Sequence, residues 1–415
     1  MRHSNSPSAD GGRERRMIRP HSITCFQRAC RSQACGTGPK ASRNCTQNVS
    51  SGLVQPQLEV DRVYSDVKAA HKKRCHGMVA KHWRTRVVGP NIGALRGLLW
   101  FRGSTGSASR PNFLKSRNDW IDEFYADWAA QSFGPEAADE IADIFAGLDK
   151  AGESGLGSIP GPTGWEEGGP GAIIANYKSW KTESRKYEFV DELADLRPRI
   201  SGAGNLGRFD YWLNTFKSLR VIGEFGCLRG QLEEALGRDR FSTALRVRAE
   251  MARLWEQLMA LQIQRVTNSS ELGEIAILEQ LTWNSIVVGE WDKEVTDAME
   301  RRLPNEAEPS IIYSGPARLI VSPRRSQVYG DEVLRLKVLA AGDVRSPTLH
   351  WRPLGSGRFR SKPLTNVARG VYTVSLAPQK EDVEYYVEAK ANKGKVLFPA
   401  TAPKICQTVI VVSSD

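Results

Sequence analysis

Apolar positions recur along this chain with two different periods, and the places where the period changes divide it into segments. Residues 1 to 52 show neither period. Ser, Arg, Gly and Asn dominate there, with too few apolar side chains to offset the entropy of ordering a backbone, so a disordered basic head is expected. From Asp61 onward Val63, Val67 and Ala70 follow helical spacing, and Lys72, Lys73 and Arg74 stand where a helix C-terminus favours cations. Gly77 ends that helix. Met78 to Trp83 then reads as a short buried strand that runs into a polar turn with Arg84, Arg86, Gly89 and Pro90. A second helix is expected from about Asn91 to Phe101, followed by a Gly/Ser loop, so that 53–112 forms one α/β unit.

The segment 113–303 is read as helical. Asn118 is placed as the cap of a helix with Trp120, Phe124 and Trp128 at i, i+4 and i+8, ended by Gly134 with Pro135 opening the next. That next helix carries Ala138, Ile141, Phe145 and Leu148 on one stripe, and a Gly/Pro-rich loop follows over 152–171. Further helices are expected from about Asn176, Phe209, Arg240 and Glu271, and short loops between amphipathic helices imply a bundle.

After Pro304 and Pro309 the period falls to two. Seven strands are expected, around Leu319–Val321, Val333–Leu339, Thr348–Trp351, Val371–Leu376, Val383–Ala389, Val396–Phe398 and Thr408–Val412. Seven short strands in about 100 residues fit an immunoglobulin-like or fibronectin-type sandwich over 310–415. The fold class expected is therefore multidomain α plus β.

Charge narrows the partners. The total of +11 divides into +7 for residues 1–50, +5 for 51–90 and −1 for the remaining 325, so the excess lies in the head and one short segment, and no nucleic-acid partner is expected. No apolar run is long enough to span a bilayer, so no membrane partner is expected either. Seven cysteines, an odd number without paired zinc-type spacing, give neither a disulfide framework nor a metal cluster, and Cys227 and Cys406 are expected as small buried thiols. The head has no apolar core of a secretory signal, which leaves the cellular address open.

The most informative chemistry is His82-Trp83-Arg84-Thr85-Arg86 at the end of the expected strand. An aromatic plane with guanidinium forks is able to stack on a sugar ring and grip its hydroxyls or carboxylate. The competing reading makes Trp83 a core residue and the arginines helix caps. For acid/base work, Glu166 on the Gly-rich loop is the weaker candidate, beside Glu167. Asp122, Glu123 and Asp127 are assigned to the wet face of the Trp120 helix. His71, Cys75, His76 and His82 form no closed ligand set, and nucleophile-elbow, phosphate-loop and dinucleotide fingerprints are missing, so neither metal nor cofactor is expected.

The run Gly77-Met78-Val79-Ala80-Lys81-His82-Trp83-Arg84-Thr85-Arg86, followed by Phe124-Tyr125-Ala126-Asp127-Trp128 and by Phe133-Gly134-Pro135-Glu136-Ala137-Ala138-Asp139-Glu140, resembles the C-terminal part of large bacterial glycoside hydrolases of the α-glucuronidase type. The resemblance covers about residues 60–300. It implies that 53–112 is the end of a β/α barrel, that 113–303 is a helical domain, and that 310–415 is an accessory module, with Trp351-Arg352-Pro353 and Tyr385-Tyr386-Val387 in it. It further implies a polysaccharide or oligosaccharide partner, His82, Trp83, Arg84 and Arg86 on the substrate side, and an exported or periplasmic setting. A whole barrel takes about 250 residues, so most strands and the acid pair are expected to be missing, or supplied by a complementing barrel chain. The alternative is a noncatalytic carbohydrate- or protein-binding scaffold, favoured by exposed aromatics on the sandwich and disfavoured if Trp351, Tyr372, Tyr385 and Tyr386 are buried.

Overall fold

A computed structural model describes residues 56, 58–72, 86–100, 116–149, 162–163, 172–300, 302–392 and 394–413. The head 1–52, the strand expected over Met78 to Trp83 and most of the Gly/Pro-rich loop lie outside these residues.

Two α-helices, α1 (Val60–Lys72) and α2 (Gly89–Trp100), pack on each other through Tyr64, Val67 and Leu98. The next helix, α3 (Arg117–Phe133), is capped by Ser116, whose hydroxyl accepts from Asp119 N–H at 3.2 Å. Asn118 is thus inside the first turn and is not the cap. The aromatic stripe is also displaced by one position: Ile121, Tyr125, Ala129 and Phe133 are buried, whereas Trp120, Phe124 and Trp128 are half-buried at the edge. Asp122, Glu123 and Asp127 face water as expected. In α4 (Ala138–Asp149) the expected stripe Ala138, Ile141, Phe145 and Leu148 is buried throughout.

A two-residue pair, β1 (Pro162–Thr163) with β2 (Ala172–Ile173), precedes a short α5 (Trp180–Glu183) and α6 (Phe189–Leu196). No helix begins at Asn176. The reason lies in α7 (Ala203–Leu236), where Gly223, Gly226 and Gly230 fall on one face. A Cβ at Gly230 would stand 2.5 Å from the Asn176 carbonyl, and one at Gly226 would stand 2.9 Å from that of Ile174. The glycines let residues 173–177 run extended against the helix, fixed by Asn176 N–H to Gly226 O at 2.9 Å.

At 34 residues α7 is about 50 Å long, and it begins six residues before Phe209. It serves two cores. Phe209, Trp212 and Phe216 close the first against Phe133 and Phe145, with Phe145 5.1 Å from Trp212 between ring centres. Val221, Phe225 and Leu232 enter the second, which α8 (Phe241–Arg265) fills with Met251, Trp255 and Leu258.

After α9 (Ser269–Ile277), capped by Asn268, comes a π-helix over Leu278–Trp291 and then α10 (Asp292–Met299). Leu278, Thr282, Trp283, Ile286, Val287 and Trp291 are its buried positions, a stripe that the wider i→i+5 turn keeps on one side.

Ten further strands follow among the described residues. β3 (Arg318–Ser322), β4 (Gln327–Tyr329), β5 (Leu334–Ala341), β6 (Val344–Pro353) and β7 (Arg360–Pro363) are followed by β8 (Thr365–Ala368), β9 (Val371–Leu376), β10 (Val383–Ala391), β11 (Gly394–Phe398) and β12 (Gln407–Val412). The seven expected strands are present. β4, β7 and β8 are additional: they are short and sit at sheet edges, β7 and β8 exposed throughout and β4 burying Val328 alone.

One sheet runs β3-β5-β9-β8 and the other β4-β12-β10-β6-β7, with β11 also on β10; β12 and β4 are parallel. Their inner faces share a core of Leu336, Val338 and Val374 with Leu349, Val383, Tyr385 and Val387. Tyr385 is enclosed there, and Trp351 and Tyr372 pack against it. Tyr386, on the opposite face, stacks on His350 at 4.6 Å. Cys227 is buried, but Cys406 is only half-buried.

The outer face of the first sheet joins the helices. Tyr313, Ile320, Leu339 and Ala341 belong to the same core as Trp255 and Trp283. Arg318 donates to the Ile263 and Val266 carbonyls, both at 2.7 Å, and so satisfies the end of α8. The chain is thus mixed α plus β, a helical region followed by two packed sheets. No helix among the described residues is long and apolar enough to cross a membrane.

Candidate functional site

Of the residues nominated by sequence, His82, Trp83, Arg84 and Glu166 lie outside the described residues, and Arg86 lies within them. Arg86 opens a single 3₁₀ turn, Arg86–Val88, whose Val87 and Val88 are buried and anchor it. Its backbone N–H donates to Glu271 Oε1 at 3.2 Å, and its exposed guanidinium lies 5.0 Å from the centre of the Tyr211 ring.

Beneath Arg86 is a buried polar cluster. Glu271 Oε2 accepts from both the N–H and the hydroxyl of Thr267 at 2.7 Å. Tyr211, on α7, sits with its hydroxyl beside Glu271 without the geometry of a hydrogen bond, and burial raises its pKa. Arg265, at the end of α8, lies 5.8 Å from the same ring, donates to Gln262 Oε1 at 2.6 Å and is paired with Glu274.

Glu271 and Glu274 are one helical turn apart on α9 and are 1% and 3% exposed. Burial raises the pKa of Glu274, against the downward pull of Arg265. Paired carboxyls with unlike surroundings are what acid/base catalysis uses. Here, however, both are enclosed, and their partners are protein groups. The arrangement positions the turn at Arg86 and presents no acid pair to a substrate.

A second acidic site lies between α1, α3 and α4. Asp149 Oδ2 accepts from Tyr125 O–H at 2.9 Å and from Asp61 N–H at 3.3 Å, which makes it a cap for the start of α1. Its Oδ1 is buried without a partner. Asp61 is paired with Arg117, and these residues line a cleft of about 300 Å³ with Asn118 and Asp122.

Burial raises the Asp149 pKa to about 6 from 3.8, and Tyr125 is the strongest opposing influence. The folded state therefore takes up this proton before the unfolded chain does, and stability rises as pH falls from about 6 to about 4. Asp149→Asn is expected to flatten that part of a urea-denaturation profile, by an amount on the order of 2 kcal/mol. An unchanged slope between those pH values would contradict the assignment.

Tyr211, Arg265, Glu271, Glu274 and Asp149 were not nominated by sequence. Glu271 and Glu274 follow a helix cap, where acids normally complement the dipole in solvent. Only the packing of α7 and α8 over them shows otherwise. No group of three or more metal-ligating side chains occurs among the described residues.

No family model and no curated protein matches the chain. Among solved structures it is similar to an engineered protein at 11% identity, covering 74% of this chain and 84% of that one, with a TM-score of 0.19. A likeness at that score carries no inference about fold or function.

Proposed function

We propose that this chain is a glycoside-hydrolase-like protein of the α-glucuronidase type that engages polysaccharide or oligosaccharide through segment 82–86. One observation supports the reading above others: Arg86 keeps an exposed guanidinium over Tyr211 while a buried carboxylate fixes its backbone. A guanidinium held in this way is preorganised to grip a carboxylate or a pair of sugar hydroxyls. His82, Trp83 and Arg84 then complete the substrate side at the end of a barrel strand, with the helical region as their scaffold. The two sheets are assigned as an immunoglobulin-like or fibronectin-type accessory module. The order β3-β5-β9-β8 against β12-β10-β6-β7 parallels the A-B-E-D and G-F-C-C′ sheets of that class.

A second reading, a noncatalytic carbohydrate-binding scaffold, is favoured by the enclosure of Glu271 and Glu274 and disfavoured by the sandwich aromatics, since Tyr385 is enclosed in the core and Trp351 and Tyr372 pack against it. Hydrolysis and retention of a glycan panel by the purified chain, with Trp83→Ala alongside, separates the two. Turnover lost in the variant supports the enzyme, and retention without turnover, lost in the variant, supports the scaffold. Neither turnover nor retention in a folded sample contradicts both.

A further inference from the structure

The charge of the chain is segregated in a way that its total hides. Residues 310–415 carry sixteen Lys/Arg against eight Asp/Glu, a balance of +8, whereas 91–309 carry 25 against 34, or −9. Several cations of the β region are held by carboxylates, as Arg325 is by Glu332 and Lys395 by Glu388. Arg335 and Lys337 are exposed on β5, and neither enters an ion pair among the described residues.

They stand two residues apart on one strand, hence on one face about 7 Å from each other. Strand register surrounds them with hydroxyls. Ser322 on β3 and Thr373 on β9 flank Lys337, and Ser375 lies across from Arg335. Lys362 reaches over from the second sheet to donate to the Ser375 carbonyl at 2.9 Å. The helices cover this face only at its other end, over Ile320 and Leu339.

We infer that this open cationic strip on the four-stranded sheet binds an anionic polysaccharide. The unpaired cations complement carboxylate or sulfate groups, and Ser322 and Ser375 exchange hydrogen bonds with sugar hydroxyls, while Thr373, whose hydroxyl donates to the Leu336 carbonyl at 3.2 Å, is left as an acceptor. An open sheet face suits an extended chain of rings. Nucleic acid is the competing polyanion, but single-strand binders stack bases on aromatic side chains. Tyr372, the aromatic residue of β9, packs instead against the core between the sheets. The inference rests on the glycan reading above for the sugar class alone.

Native affinity electrophoresis of the full chain tests it, in gels containing polygalacturonate, dextran sulfate or a neutral β-glucan. A mobility shift with a single-stranded oligonucleotide and the doubly reversed variant R335E/K337E complete the set. Wild type is expected to be retarded by polygalacturonate, by dextran sulfate or by both, which distinguishes carboxylate from sulfate. The affinity is expected to fall at least tenfold in the variant at an unchanged melting temperature, and to weaken from about 50 to about 200 mM salt as counterion release requires. Equal retardation of the variant, no retardation in either acidic gel, or oligonucleotide binding as tight as glycan binding overturns the inference. Trp83→Ala in the same gels reports on segment 82–86, so the two sites can fail separately.

Discussion

Arg265→Met is expected to lower folding stability by about 3–5 kcal/mol, because it leaves the Glu274 carboxylate buried without its cation. Arg265 and Glu274 side chains are 1% and 3% exposed, so no water replaces the lost partner. The guanidinium also supplies the donor to Gln262 at 2.6 Å and shares the Tyr211 ring with Arg86. The loss therefore unpins α8 from α9 and loosens the turn that presents Arg86. The double variant R265M/E274L, which removes both charges, is expected to recover most of the stability. Urea denaturation followed by tryptophan fluorescence checks this. A single variant within 1 kcal/mol of wild type would mean that the pair is open to solvent.

Trp255→Ala is expected to cost a similar amount, about 3–5 kcal/mol, through an unfilled cavity. Trp255 is fully buried, stacks on Trp283 at 5.0 Å and lies 6.0 Å from Phe225. Its core also contains Tyr313, Ile320 and Leu339 from the β region, so the cavity would open where helices and sheet meet. Loss of the helical and β transitions together in a thermal melt is the expected signature. A melt in which the β transition alone keeps its wild-type midpoint would show that the shared core contributes little to joining them.

The strands and most helices were legible because apolar periodicity records burial. The alternation over Val383 to Ala389 places Val383, Tyr385 and Val387 inside, and the stripe from Ala138 to Leu148 is buried as spaced. Legibility failed where burial depends on a distant partner. The extended run at Asn176 is set by Gly226 and Gly230, some fifty residues later on α7, and no local pattern reports that. The edge strands β4, β7 and β8 are three or four residues long, too short for a period of two to register, and form because a neighbouring strand supplies hydrogen bonds. The π-helix hides as well, since its buried stripe drifts off the 3.6-residue period. Arg86 was nominated from its neighbourhood in sequence, an arginine three residues after Trp83. Its supports Glu271 and Tyr211 were missed because they are 185 and 125 residues away in sequence.

The most direct test of carbohydrate engagement at Arg86 is glycan affinity of Arg86→Ala beside wild type. The side chain is exposed, and the bond to Glu271 comes from the backbone, so the variant is expected to keep its melting temperature. Wild type should bind at least one oligosaccharide of a mixed acidic and neutral panel, and Arg86→Ala should bind it at least tenfold more weakly, a loss of about 1.4 kcal/mol. Equal affinities of the two proteins for every glycan they bind would place carbohydrate recognition elsewhere and contradict the role assigned to segment 82–86.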